Sequence, residues 1–173
     1  LREAGHHRGA ATAELAREFG LRSKEASLLN VQDAFLMAQS DQKIIISAGT
    51  KGGKVRKVPI VSTIQLDTLH KASVLQGGGR ALLPACQNWK QWREGELRLV
   101  REVLQTFGIR RLHDLRAAYA CERYNELTGY MAPVFSGRSC DREVDLSARK
   151  IISQELGHGA ERTDVVVAYI GGR

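Results

Sequence analysis

The 173-residue chain is poor in the building materials of several protein classes, with three cysteines, three prolines and only 6% aromatic residues. Cys86, Cys121 and Cys140 are odd in number and widely spaced, and no two form a C-x-x-C pair. That usage excludes a disulfide framework and a zinc ribbon and fits a reduced, cytosolic protein. Long apolar runs are missing too. The longest, Val165 to Ile170, falls far short of the roughly 18 residues of a bilayer-spanning helix, and the polar start through Glu3, His6, His7 and Arg8 holds no secretory h-region. Acid is scarce in one place. Between Asp41 and Asp67 there is none, while Lys43, Lys51, Lys54, Arg56 and Lys57 fall inside that stretch.

What is present is ordinary globular material, 43% hydrophobic and 26% charged with a net charge of +7. This excludes a disordered or fibrous chain and suits a single domain over residues 1–173. The acid-free basic stripe has two readings, the footprint of a polyphosphate binder or a hairpin edge guarded by lysines.

Segments rich in Ala, Leu, Glu and Arg read as helices, and one region reads as sheet, giving a mainly α fold with a small antiparallel sheet (α+β). Helical patterns are expected over 10–19 and 23–38, broken at Gly20, with Arg22 in the break. Lys43 to Ala48 and Val55 to Val61 flank the turn at Gly49 to Gly53 as a basic β-hairpin. Ser62 or Thr63 can cap a helix to about Ala72, and Gln76 to Arg80 is a glycine loop. Leu97, Val100, Leu104 and Phe107 form a helical core stripe that stops at Gly108. A helix over His113 to Leu127 follows, then an irregular insertion from Thr128 to Asp145 and a helix over about Leu146 to Leu156. The tail from Asp164 to Tyr169 is strand by its β-branching and short helix by its length.

Four local clusters could carry chemistry. In Gly20-Leu-Arg22-Ser-Lys-Glu25-Ala26 an arginine at a helix start can bind phosphate, or it can simply pair with Glu25 or Glu18. Lys51-Gly-Gly-Lys54-Val-Arg56-Lys57 is a glycine turn between lysines. It lacks the order of a Walker A loop, but a lysine at such a tip can swing into a groove and deliver a proton. His113 and Arg116, three apart, share a helix face, where one can shuttle a proton while the other neutralises charge; the alternative is a surface pair. In Glu155-Leu-Gly-His158 the glycine stops a helix and leaves the histidine projecting, and Tyr169 follows eleven residues later. Taken alone, that histidine suits a buried hydrogen-bonding role and that tyrosine a core position.

Taken together, G-L-R-S-K-E-A, K-G-G-K-V-R-K-V-P-I, H-D-L-R-A-A-Y-A, E-L-G-H and a late tyrosine resemble, in order and over nearly the whole chain, the catalytic domain of the tyrosine recombinase, or phage integrase, family. The match is nearest a bacterial mobile-element branch that tolerates an insertion between Arg116 and His158. Position 117, where many members carry a second histidine, is Ala117.

The resemblance implies site-specific recombination of double-stranded DNA in the bacterial cytoplasm, with no cofactor and no metal. The catalytic set it implies is Arg22, Lys51, His113, Arg116, His158 and Tyr169, and the hairpin residues Lys54, Arg56 and Lys57 would contact DNA. The arginines would hold the scissile phosphate, Tyr169 would attack it, Lys51 would protonate the leaving 5′ oxygen, and the histidines would assist. Tyr119, Tyr124 and Tyr130 are the other tyrosines, of which Tyr130, in the insertion, is the serious rival nucleophile. Members usually carry an N-terminal core-binding domain and work as homotetramers. This chain is accordingly expected to be a catalytic-domain fragment, monomeric by itself and weak in DNA affinity. A type IB topoisomerase-like enzyme or a non-catalytic DNA-binding relic are the alternatives.

Overall fold

A computed structural model of the chain describes residues 1–172. It is mainly helical with one two-stranded antiparallel sheet, an α+β arrangement. Helix α1 (His7–Phe19) lies between two apolar clusters, and its small residues let neighbours approach on both sides. Ala11, Leu15 and Phe19 face the larger cluster, while Ala13 and Ala16 face Trp92, Leu97 and Val100 in the smaller one. Gly9 meets Val100 so closely that a Cβ would sit 2.4 Å from its Cγ2.

The second expected helix is two. α2 (Ser23–Leu28) ends at Leu29 with extended backbone, and α3 (Val31–Asp41) starts under Asn30, whose side chain accepts from Asp33 N. The N-x-x-D cap at Asn30 is the sequence signal for that break. Buried Gln76 holds it, accepting from Val31 N at 2.6 Å and donating to Asn30 Oδ1 at 2.7 Å. Gln76 closes α4 (Thr63–Gln76), which Ser62 and Gln65 cap reciprocally and which runs a turn beyond Ala72.

The hairpin forms as read, with strands β1 (Lys43–Ile46) and β2 (Arg56–Pro59) in the register Ile44 to Val58 and Ile46 to Arg56. Alternation sends Ile44, Ile46 and Val58 into the core. It sends Arg56 the same way, because Arg56 and Val58 share parity while Lys57 faces solvent.

A short helix that the sequence reading lacked, α5 (Trp89–Glu94), places Trp92 in the smaller core with its Nε1 donating to Ser27 Oγ at 2.9 Å. In α6 (Glu96–Thr106), Leu97, Val100 and Leu104 are buried, but Phe107 is 77% exposed, a correction to the expected stripe. The helix ends one residue before it, Gly108 turns the chain through positive φ, and Ile109 packs against the smaller core instead.

α7 (Leu112–Thr128) and α9 (Arg142–Glu155) pack together under α10 (Thr163–Ile170). The insertion is shorter than expected, since α9 begins at Arg142 under an Asp141 cap and the one-turn α8 (Pro133–Ser136) interrupts the rest. The tail resolves as helix, with Val166, Tyr169 and Ile170 buried. Among the described residues no helix is long and apolar enough to cross a membrane.

Candidate active site

Arg116 is the centre of the site. It lies in mid α7, is fully buried and directs its guanidinium at four partners from three distant segments. Nη1 donates to the Gly20 carbonyl and Nη2 to the Leu156 carbonyl, at the ends of α1 and α9. Nη2 also lies 3.3 Å from His158 Nε2, and Nε donates to the Tyr169 hydroxyl at 3.3 Å. Gly20 is indispensable to this arrangement: it takes φ +60, and a Cβ there would lie 2.5 Å from the Tyr119 ring. Burial lowers the Arg116 guanidinium to about 10, opposed by the Tyr169 oxygen, so it stays cationic at neutral pH.

Tyr169 is held from several sides. Its hydroxyl lies 3.4 Å from His158 Nε2, its ring is 5.4 Å from that of His113, and the Arg116 guanidinium carbon is 5.5 Å from the ring centre. Four of the six residues expected in the site therefore meet: His113, Arg116, His158 and Tyr169. Arg22 lies near enough for its charge to act on both histidines and on Arg116.

Lys51 is not among the side chains in contact with this group. It stands exposed on the 3-10 turn Lys51–Gly53 of the hairpin. Lys54 and Lys57 are exposed beside it, and with Gln154, Gly157 and Gly159 they line a groove of about 500 Å³ next to His158.

Arg56 departs from its expected role as a DNA contact. It is 6% exposed, forms a two-pronged pair with Glu25 at 2.8 and 2.6 Å, and donates through Nε to the Glu155 carbonyl at 2.7 Å. Three of its five N–H groups are spent on these acceptors, and the buried ion pair with Glu25 holds the side chain against the protein instead of extending it towards a DNA phosphate. The residue that sequence reasoning left in a minor role is Glu25. Fully buried, it takes Arg56 on one side, and on the other the Arg22 backbone N–H and Arg22 Nη1, each at 2.7 Å. Its placement three residues after Arg22 at a helix start was the available signal.

Burial alone would raise the Glu25 carboxyl, but the hydrogen bonds and charge of Arg56, then those of Arg22, more than reverse this and hold it below the ordinary carboxylate range. Glu25→Ala strands two arginines, one of them buried, and should cost about 3–5 kcal/mol of stability, read as a drop in the urea midpoint. A loss below ~1 kcal/mol would show that both guanidiniums find other partners.

Both histidines are lowered. Desolvation, then Arg116 and other arginines, bring His158 down to about 4, and desolvation, then Arg116, Arg111 and Arg22, lower His113. Both are neutral at pH 7. The unfolded chain takes up a proton near 6.5 that folded His158 refuses until about 4, so native stability is full above 6.5 and declines as pH falls towards 4. His158→Gln should flatten that decline in urea titrations at pH 7 and pH 5; an unchanged slope would mean His158 ionises freely in the folded protein.

The other buried tyrosines are differently occupied. Burial first, then Glu155, holds the Tyr119 phenol well above its ordinary value, and its hydroxyl donates to Glu155 Oε2 at 2.8 Å. Tyr124 is raised by desolvation, then by Cys140 and Asp145, and donates to Asp145 Oδ1 at 2.9 Å. Tyr130 is 61% exposed in the insertion.

No curated protein and no solved structure matches the chain. Residues 1–122 match the family model described as Integrase, a span that holds Arg22, the basic hairpin, His113 and Arg116. Because that match covers well over half of the sequence, the chain belongs to the integrase family, with an integrase role and DNA as its partner.

Proposed function

We propose that residues 1–173 form the catalytic domain of a tyrosine recombinase, which breaks and rejoins DNA strands through a 3′-phosphotyrosine. The observation that carries this reading is the Tyr169 hydroxyl, which lies 3.3 Å from the buried Arg116 and 3.4 Å from a neutral histidine. A phenol held between a fixed cation and a histidine, with the His113 ring 5.4 Å from its own to take up the proton, is a nucleophile in waiting.

In the reaction, Arg116 and Arg22 bind the non-bridging oxygens of the scissile phosphate and stabilise the pentacoordinate transition state. The Tyr169 oxygen attacks phosphorus, the bond to the 5′ oxygen breaks, and Lys51 supplies the proton that oxygen needs. His113, neutral at pH 7, takes the phenolic proton, and His158 hydrogen-bonds a phosphate oxygen. Because the phosphoester bond is conserved in the phosphotyrosine, no ATP is consumed, and attack by a different 5′ hydroxyl completes recombination. Lys54 and Lys57 hold the duplex backbone, whereas Arg56 works through Glu25 to fix Arg22. Four copies would act on two duplexes, in the cytoplasm of a bacterium that hosts a mobile element.

The test is a denaturing gel of the chain incubated with nicked duplexes of randomised sequence, in which the nick lets the 5′-hydroxyl fragment escape and traps the intermediate. A DNA-linked peptide that carries a 3′-phosphate on Tyr169 is expected. DNA binding without linkage would favour the relic, and plasmid relaxation without strand exchange a type IB topoisomerase.

A further inference from the structure

The helix that carries Tyr169 is only eight residues long, too short to hold its own shape without tertiary support. Val166 and Ile170 anchor it in the core, but apolar contacts do not fix the depth of a helix along its axis. Polar contacts at its far end do. Arg149 of α9, 3% exposed, donates from Nη1 to the Gly171 carbonyl at 3.0 Å, two residues beyond Tyr169. Its Nε donates to both oxygens of fully buried Asp145, at 3.0 and 2.9 Å, and Asp145 accepts from Tyr124 of α7. The helix end is thereby tied to the same α7 that carries Arg116. Gly171 itself, at φ +89, is pressed onto α8, where a Cβ would lie 2.7 Å from Val134 N.

This tie is expensive. Arg149 Nη2 is buried with no hydrogen-bond partner among the described residues, and a buried ion pair adds less stability than apolar residues of similar volume. A costly departure from local rules beside a reactive group marks a functional constraint. We propose that Arg149 is a positioning residue for Tyr169, a buried guanidinium that sets how far the phenolic oxygen reaches towards Arg116. The proposal rests on the nucleophile role given to Tyr169 above.

The experiment separates attack by Tyr169 from attack by anything else. In single-turnover cleavage of the nicked duplex pool, Arg149→Met should lower the limiting rate about 100-fold, the scale of an ångström of misplacement. The DNA concentration at half-saturation should stay within about twofold, and Arg149→Lys should recover much of the rate. Gly171→Ala, which leaves the buried pair untouched, should show the same split if Arg149→Met folds poorly. In a Tyr169→Phe background, hydrogen peroxide serves as the external nucleophile: its oxygen bonds to phosphorus, the 5′ oxygen leaves with a proton, and the 3′ end keeps the peroxy-phosphate. There, adding Arg149→Met should change the rate by less than about twofold. Equal losses in both reactions, or no loss in either, would overturn the inference alone. A covalent species carried by another tyrosine would overturn the reading and the inference together.

Discussion

Tyr169→Phe is expected to abolish the DNA-linked species, a loss of at least about 10⁴-fold, the scale on which removal of a nucleophile is felt. The substitution is a clean one. Phenylalanine keeps the ring that packs against His113 and the Arg116 guanidinium, and Arg116 keeps both backbone acceptors when the hydroxyl is gone. DNA affinity, measured by fluorescence anisotropy, should therefore be unchanged while chemistry disappears. Tyr130→Phe is the informative control, because Tyr130 is the exposed rival in the insertion; cleavage should stay within about twofold. Tyr119 and Tyr124 are poor substitutes, being buried and donating to carboxylates that oppose a second negative charge. Persistent linkage in Tyr169→Phe, lost in Tyr130→Phe, would move the nucleophile to the insertion.

Lys51→Ala should lose about 10²–10⁴-fold in cleavage of ordinary DNA, the usual range for a general acid. It should regain most of this on DNA with sulfur at the 5′ bridging position of the scissile phosphate. An alkoxide must be protonated as it leaves, whereas a thiolate, with a parent thiol pKa of about 8.5, leaves with little help. Arg116→Ala should gain nothing from the sulfur, since its role lies at the non-bridging oxygens. The exposed glycine turn is consistent with this division of labour. Lys51 precedes two glycines with positive φ, a tip free to bend towards a bound duplex, and it touches none of the buried site residues in the free protein. Rescue in Lys54→Ala with normal cleavage in Lys51→Ala would move the acid to the other end of the turn.

Much of this site was legible because its residues lie in short motifs whose order survives folding. His113 and Arg116 are on one helix, His158 follows a glycine stop, and Tyr169 is near the end, so each could be found without knowing the fold. Their convergence is an expectation that only the order of the motifs and the family resemblance supply, because physically it depends on how α1, α7, α9 and α10 pack. Arg56 was misread for a different reason. Charge composition counts it with Lys54 and Lys57, but strand parity with Val58 turns it inward to Glu25. Parity was present in the sequence and carries more weight than charge in a hairpin with one buried face. Phe107 fitted its helical stripe in phase, yet the helix stopped one residue short of it. The β-branched tail, ambiguous by propensity, became helix because packing of Val166 and Ile170 outweighs a preference of a few tenths of a kcal/mol per residue.

The two carbonyls that grip Arg116 belong to the main chain, at Gly20 and Leu156. Every amino acid brings the same carbonyl, so the aim of the guanidinium is inherited from the path of the backbone and not from the identity of its neighbours. Replacing Leu156 would alter bulk in the core and shift the melting temperature, but it could not delete the acceptor. Position 20 is the exception, because there the path itself requires glycine. In a saturation-mutagenesis screen the two positions should therefore fail differently: substitutions at 156 recover when the protein is stabilised elsewhere or the host is grown cooler, and substitutions at 20 do not.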